Sequence, residues 1–155
     1  MTVKERLRTD LTAAMKARDA LRRGTLRMVL AAITNEEVAG DTARELSDLE
    51  VVSVLAREVK KRKESAEAFT AGGRAELAAR ETAESAVIAE YMPQQLADDE
   101  LAGIIGAAIS AVQAATGAPP TIRQMGQVIK AVQAEAAGRA DGRRISTAVK
   151  AALQP

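Results

Sequence analysis

The chain has no histidine, no cysteine and no tryptophan, and its 155 residues include one tyrosine and one phenylalanine. Each absence removes a kind of chemistry. Without imidazole, the side chain that normally titrates near neutrality is missing, and with it the usual proton shuttle and the base of a serine triad. Without thiols there is no sulfur nucleophile, no disulfide scaffold and no thiolate set for zinc. Single-stranded nucleic-acid binders stack bases on aromatic rings, and here Phe69 and Tyr91 are expected in the core. The residue inventory therefore describes a protein that holds something, with any catalysis supplied by a partner.

Phosphate loops are missing as well. There is neither a G-x-x-x-x-G-K nor a G-x-G-x-x-G spacing, and Gly72-Gly73-Arg74 reads as a helix stop. The carboxylate groupings Glu36-Glu37, Glu81/Glu84 and Asp98-Asp99-Glu100 fall on exposed helices and read as solvated, so neither metal nor cofactor is expected. Lys4, Glu5, Arg6, Arg8 and Asp10 interrupt any apolar run of the signal-peptide kind. The uncharged stretch from Leu101 to Ile122 is broken by Thr116, Gly117, Pro119 and Pro120. Its helical part spans about 23 Å, short of a hydrocarbon core of about 30 Å. A cytoplasmic protein without a membrane partner is expected.

What is present favours helix. Hydrophobic residues make up 47% of the chain, much of it alanine, and β-branched or aromatic runs are scarce. Periodicity predicts seven helices and an all-α fold. The first runs over 3–18 with Val3, Leu7, Leu11 and Met15 on one face. The second, capped by Asp19, runs to Val38 with Leu26, Val29, Leu30 and Ile33 as its stripe, widened by Leu21 and Met28. Gly24 inside it implies close helix contact. Ser47 and Glu50 form a capping box, with Leu46 and Val51 at staple positions. The third helix carries Val52, Leu55, Val59, Ala66 and Phe69. The fourth, 74–91, carries Leu77, Val87, Ile88 and Tyr91 and stops at Met92-Pro93.

The segment 93–97 separates an N-terminal four-helix part, 1–92, from a three-helix domain, 98–155. In the latter, Leu101, Ile104, Ile105, Ala108 and Val112 face a core. Thr121 and Gln124 form a second capping box before Ile122, Met125, Ile129, Val132 and Ala136. Asp141 caps a last helix with Ile145, Ala148, Val149, Ala152 and Leu153.

The net charge of +1 conceals a segregation. Residues 1–35 carry +5, residues 36–100 carry −8 and residues 101–155 carry +4. Either the basic ends fold back on the acidic middle, or they meet an external polyanion. Three basic clusters can be distinguished. Arg22, Arg23 and Arg27 form a possible second basic face on the second helix. Arg57, Lys60, Lys61, Arg62 and Lys63 sit among i, i+4 partners such as Glu58–Arg62, Lys60–Glu64 and Lys63–Glu67, which describes a solvated, self-paired surface. Arg139, Arg143 and Arg144 surround a turn at a helix start, flanked by Lys130 and Lys150, and read either as the best candidate anion site or as a capped turn whose arginines sit in water.

The segment Lys60-Lys61-Arg62-Lys63-Glu64-Ser65, then Phe69, Gly72-Gly73-Arg74, Leu77 and Val87-Ile88-Ala89-Glu90-Tyr91-Met92-Pro93-Gln94-Gln95-Leu96, resembles the GatB/YqeY family. So do Thr25-Leu26-Arg27-Met28, Met125-Gly126-Gln127-Val128 and Gly138-Arg139-Ala140-Asp141-Gly142. The chain is similar to the free-standing YqeY-like members, themselves similar to the tail of the B subunit of glutamine-dependent tRNA amidotransferase. Ala97 stands where the family often has a serine or threonine cap, and Gln127 where a lysine is frequent.

The resemblance implies an N-terminal helical bundle and a tail domain of the kind that contacts the body of tRNA. It also links the chain to carbon–nitrogen ligase activity with glutamine as amido-N-donor, for which the residues offer no autonomous machinery. Two readings follow. One is a non-catalytic, tRNA-associated adaptor using Lys130, Arg139, Arg143, Arg144 and Lys150, with Gly126 and Gly142 allowing close packing and a tight turn. The other is a protein–protein module that docks on an amidotransferase or another translation factor through Arg22, Arg23 and Arg27.

Overall fold

The structure, a computed structural model, describes residues 1–154 and contains seven α-helices and no strand among them, as the all-α reading expects. They are α1 (Val3–Lys16), α2 (Ala20–Glu37), α3 (Asp48–Ala71), α4 (Ala75–Ala89), α5 (Asp98–Thr116), α6 (Met125–Ala136) and α7 (Gly142–Leu153). No helix is long and apolar enough to cross a membrane. The chain divides into two compact units, Met1–Met92 and Pro93–Pro155.

In the N-terminal unit the helix starts are set by short polar residues. Asp19 accepts from the Arg22 amide at 3.0 Å, and Ser47 and Glu50 cap each other reciprocally. Leu46 and Val51, the staple pair, are both buried in the core. Leu7, Leu26, Val29, Ile33, Leu55 and Ile88 fill its centre. The apolar stripes are narrower than predicted. Met15, Leu21, Met28 and Leu77 are exposed, whereas Ala14 is buried, so α1 is rolled slightly toward its small residue. A Cβ on Gly24 would meet nothing within 4 Å, so this glycine is not there for helix contact.

The largest departure concerns Arg62. It is buried rather than solvated, donating to Glu58 at 2.7 Å and across to Glu84 of α4 at 3.1 Å. Lys61 and Arg80 close the network from outside, on Glu58 and Glu84. The i, i+4 spacing of Glu58 and Arg62 does mark a pair, but α4 covers it. The predicted Lys60–Glu64 and Lys63–Glu67 pairs do not form among the described residues. Beyond Arg62 the α3–α4 hairpin thins: between residues 63 and 83, Ala78 alone is buried and Phe69 is half-buried.

The C-terminal unit is built from aliphatic contacts. Leu96, Leu101, Ile105, Val112, Val128, Val132, Ile145 and Val149 form its core. Val128 joins the expected face of α6 and Ile122 leaves it, because residues 122–124 form a 3-10 turn ahead of the helix. Only half of the second capping box exists: Gln124 Oε1 accepts from the Thr121 amide at 2.8 Å, with no return bond from the Thr121 side chain. At α5, Ala97 has no side chain to cap with. Glu100 accepts from the Ala97 amide at 3.0 Å, and an acidic first turn suits the helix dipole. Asp141 caps α7 through the Arg144 amide at 2.7 Å.

Candidate functional site

The five cations expected to hold phosphate fall into two sets. Arg139 and Arg144 are engaged within their own unit. Arg139 donates through Nε to the Gln94 carbonyl at 3.1 Å and lies 3.8 Å from Glu100, while its own carbonyl accepts from the Leu96 amide at 2.7 Å. This arrangement ties the α6–α7 turn to the segment that precedes α5. Arg144 donates to Asp98 at 2.7 Å, but that carboxylate is 99% exposed, so the pair contributes little and exchanges readily.

Arg143, Lys130 and Lys150 are exposed and make no ion pair among the described residues. Arg143, Thr147 and Lys150 follow at i, i+4 and i+7 along α7, which places them on one face. Gly126 is exposed with open space at its Cβ position, and a Cβ on Gly142 would come no closer than 3.8 Å to Gln133 Nε2. Neither glycine is required by close packing.

Beside this face, α5 and α7 leave a shallow groove of about 770 Å³. Its floor is small and apolar, with Ala102, Gly106 and Ile109 on one side and Ala148 and Ala151 on the other; Arg143 stands at one end. Sequence reasoning does not find it. Alanine and glycine carry no chemical signature, and the groove exists only because α5 and α7 pack side by side.

In the N-terminal unit, the expected basic face is rearranged. Arg22 is turned away to Glu90, with one hydrogen bond at 3.3 Å and a second, shorter one. Hydrogen bonding to Glu90, then to neighbouring Tyr91, pushes the Arg22 guanidinium further above its ordinary value. Tyr91 donates to Asp10 at 2.5 Å, and Arg6 lies over its ring at 4.7 Å. Burial, then the bond to Asp10, raises the Tyr91 phenol. These interactions fasten α1, α2 and the end of α4 together. Arg23 and Arg27 make no ion pair among the described residues; Arg27 reaches only the Met15 sulfur at 3.8 Å.

Most members of the carboxylate groupings meet the chain's own cations: Glu36 meets Arg57, Glu37 meets Lys4, Glu84 meets Arg62 and Arg80, Asp98 meets Arg144 and Glu100 lies 3.8 Å from Arg139, whereas Glu81 and Asp99 make no ion pair among the described residues.

Fold and surface together define an all-helical protein that presents cations on helix faces. The Yqey-like protein family matches residues 4–153, and the chain belongs to that family. Among curated relatives, "Altered inheritance of mitochondria protein 41, mitochondrial" of Saccharomyces cerevisiae is 37% identical over 97 residues, covering 61% of this chain and 51% of its own length. The proteins of the same name from Lachancea thermotolerans and Clavispora lusitaniae are 33% and 36% identical, over 57% and 61% of this chain and 46% and 54% of their own. The chain thus spans about half the length of the curated relatives it matches.

Proposed function

We propose that the chain is a non-catalytic adaptor that associates with tRNA through its C-terminal unit. The observation that carries this reading is the face of α7 on which Arg143 and Lys150 stand two turns apart without carboxylate partners among the described residues. Cations so placed hold phosphates by charge and shape, independently of base identity. Lys130 adds to the same charge. Arg139 and Arg144 set the turn from which the face rises, and Arg144 joins it by exchanging Asp98 for phosphate. The similarity to the tail of the amidotransferase B subunit supports tRNA as the polyanion.

In this reading the chain acts in translation, in the cytoplasm, and any amidation with glutamine as donor belongs to its partner. The fungal relatives carry "mitochondrial" in their names. Replacing Arg143 and Lys150 by alanine weakens tRNA binding and reduces the slope of log affinity against log salt by about one for each phosphate no longer neutralised. An unchanged salt series removes this face from consideration. Amidation of mischarged tRNA by the purified chain alone would overturn the non-catalytic reading.

A second reading keeps a module that docks on an amidotransferase or another translation protein but moves its surface from Arg22, Arg23 and Arg27, where Arg22 is engaged by Glu90, to the α5–α7 groove, whose small residues admit the close approach of a helix. Gly106 has open space at its Cβ position, so Gly106→Phe fills the groove without a clash at the backbone. A protein partner retained after nuclease treatment and lost on Gly106→Phe selects this reading. Partners lost with nuclease reject it.

A further inference from the structure

The first 35 residues carry a net charge of +5, and the structure gathers much of it on one helical hairpin. Arg8 and Lys16 lie on α1, Arg18 in the turn after it, and Arg23 and Arg27 on α2. None of the five makes an ion pair among the described residues, although Lys4, Arg22, Arg57 and Arg62 of the same unit all meet carboxylates. The acidic residues of the hairpin are occupied otherwise: Glu5 completes the Thr2 cap, Asp10 accepts from Tyr91, Asp19 caps α2, and Glu36 and Glu37 at the end of α2 meet Arg57 and Lys4. The acidic middle of the chain meets this hairpin at Lys4 and Arg22, through Glu37 and Glu90, and leaves these five cations without a paired carboxylate among the described residues. Arg8, Thr12 and Met15 follow at i, i+4 and i+7 on α1, and Arg27 of α2 touches Met15. Arg27 of α2 therefore adjoins the face of α1 that carries Arg8.

A second, independent observation concerns the backbone. Arg18 has φ +57°, in the left-handed region. Glycine or asparagine occupies such a position at lower cost. The chain instead places a guanidinium there, at the tip of the hairpin, exposed and without an ion-pair partner among the described residues.

We propose that the α1–α2 hairpin is a binding surface for a nucleic-acid phosphate backbone, formed by Arg8, Lys16, Arg18, Arg23 and Arg27. This rests on the reading that the chain associates with tRNA and adds a surface in the other unit. Four of the five cations are arginine, whose planar fork matches phosphate oxygens. Insertion into a membrane surface needs a free apolar helix face, and those of α1 and α2 are committed to the core through Leu7, Leu26, Val29 and Ile33. A protein hot spot is centred on buried aromatic or aliphatic anchors, whereas the large apolar side chains exposed on α1 and α2 are Met15, Leu21 and Met28, of which Met15 touches Arg27.

The test uses the full chain and unfractionated tRNA, with affinity measured by fluorescence anisotropy from about 50 to 200 mM salt, a range over which phosphate binding loses much of its strength. Arg18→Ala/Arg23→Ala/Arg27→Ala is expected to bind at least tenfold more weakly and to lower the salt slope by about two to three. Arg18→Gly is expected to melt at a higher temperature yet bind more weakly, which a loss of folding does not produce. The proposal falls if the triple variant keeps both the affinity and the slope of the unaltered chain, or if poly-glutamate competes as strongly as tRNA. Weak binding by Arg143→Ala/Lys150→Ala with an unchanged triple variant sinks this surface and leaves the C-terminal one standing. The reverse pattern sinks the C-terminal surface and supports this one.

Discussion

Arg62 of the N-terminal unit and Arg144 of the C-terminal unit both answer carboxylates, yet they do opposite work. Arg62 is buried to 7% exposure between two carboxylates that are themselves buried, and it joins α3 to α4. Arg144 is partly open, and its partner Asp98 stands wholly in water. A buried guanidinium tolerates few alternative packings, because each misplacement strands a charge in a low-dielectric interior. An exposed one can leave its carboxylate for another anion at little cost. The N-terminal unit thus uses ion pairing to define its own packing, while the C-terminal unit packs through aliphatic side chains, uses Arg139 to tie one turn, and leaves Arg144 exchangeable.

The largest expected break of this contrast is Arg62→Ala, which leaves Glu58 and Glu84 only the exposed Lys61 and Arg80 and destabilises by about 3 kcal/mol, read by urea unfolding. Acid acts on the same unit. Lys4 holds the Glu37 carboxyl low, Arg44 and the Ser47 cap hold Glu50 at about 2, and Arg22 holds Glu90 low. Burial pushes Glu58 up, but hydrogen bonds from Arg62 and Lys61 outweigh it and leave the carboxyl below its ordinary value. Each contribution is complete above the unfolded carboxylate range, near pH ~4.3, and is lost as pH falls through the folded values. Melting temperature is therefore expected to drop between about pH 5 and 2, and Arg44→Ala, which removes the leading cause at Glu50, flattens that drop.

Smaller effects sharpen the comparison. Asp141→Ala removes the cap of α7 and costs about 1 kcal/mol by thermal melting. Arg144→Ala costs about 0–1 kcal/mol, and a larger loss would erase the distinction from Arg62. Ser85 is buried with its hydroxyl unpartnered within the N-terminal unit. Ser85→Ala removes that orphan and leaves stability unchanged or raised by up to about 1 kcal/mol, measured in the same urea series.

The helices are legible because their ends are written locally. Asp19, Ser47 with Glu50, Gly72-Gly73, Met92-Pro93 and Asp141 each act within four residues, and each marks an end in the structure. What escapes the sequence is whatever depends on distant neighbours. Glu58–Arg62 has the same spacing on a wet surface as under a covering helix, and Glu84 lies 22 residues further on. Arg139 and Arg144 show as a cationic cluster, but their partners Gln94 and Asp98 are 45 and 46 residues away. The α5–α7 groove has no signature before the helices pair. Leu21, Met28 and Ile122 are expected inward and lie outward, because hydrophobicity fixes a stripe's centre better than its width.

The α3–α4 hairpin holds its order unevenly, with Arg62 at the junction. Inward of it lie Leu55, Val87 and Ile88; outward, across residues 63–83, little besides Ala78 is covered. Two helices zipped at one end and loosely joined at the other fray from the loose end, so deuterium enters the amides near Gly72 and Gly73 long before those near Leu55. A protease offered the native chain finds its first purchase at that tip, and severing it there leaves the buried arginine still gripping both helices.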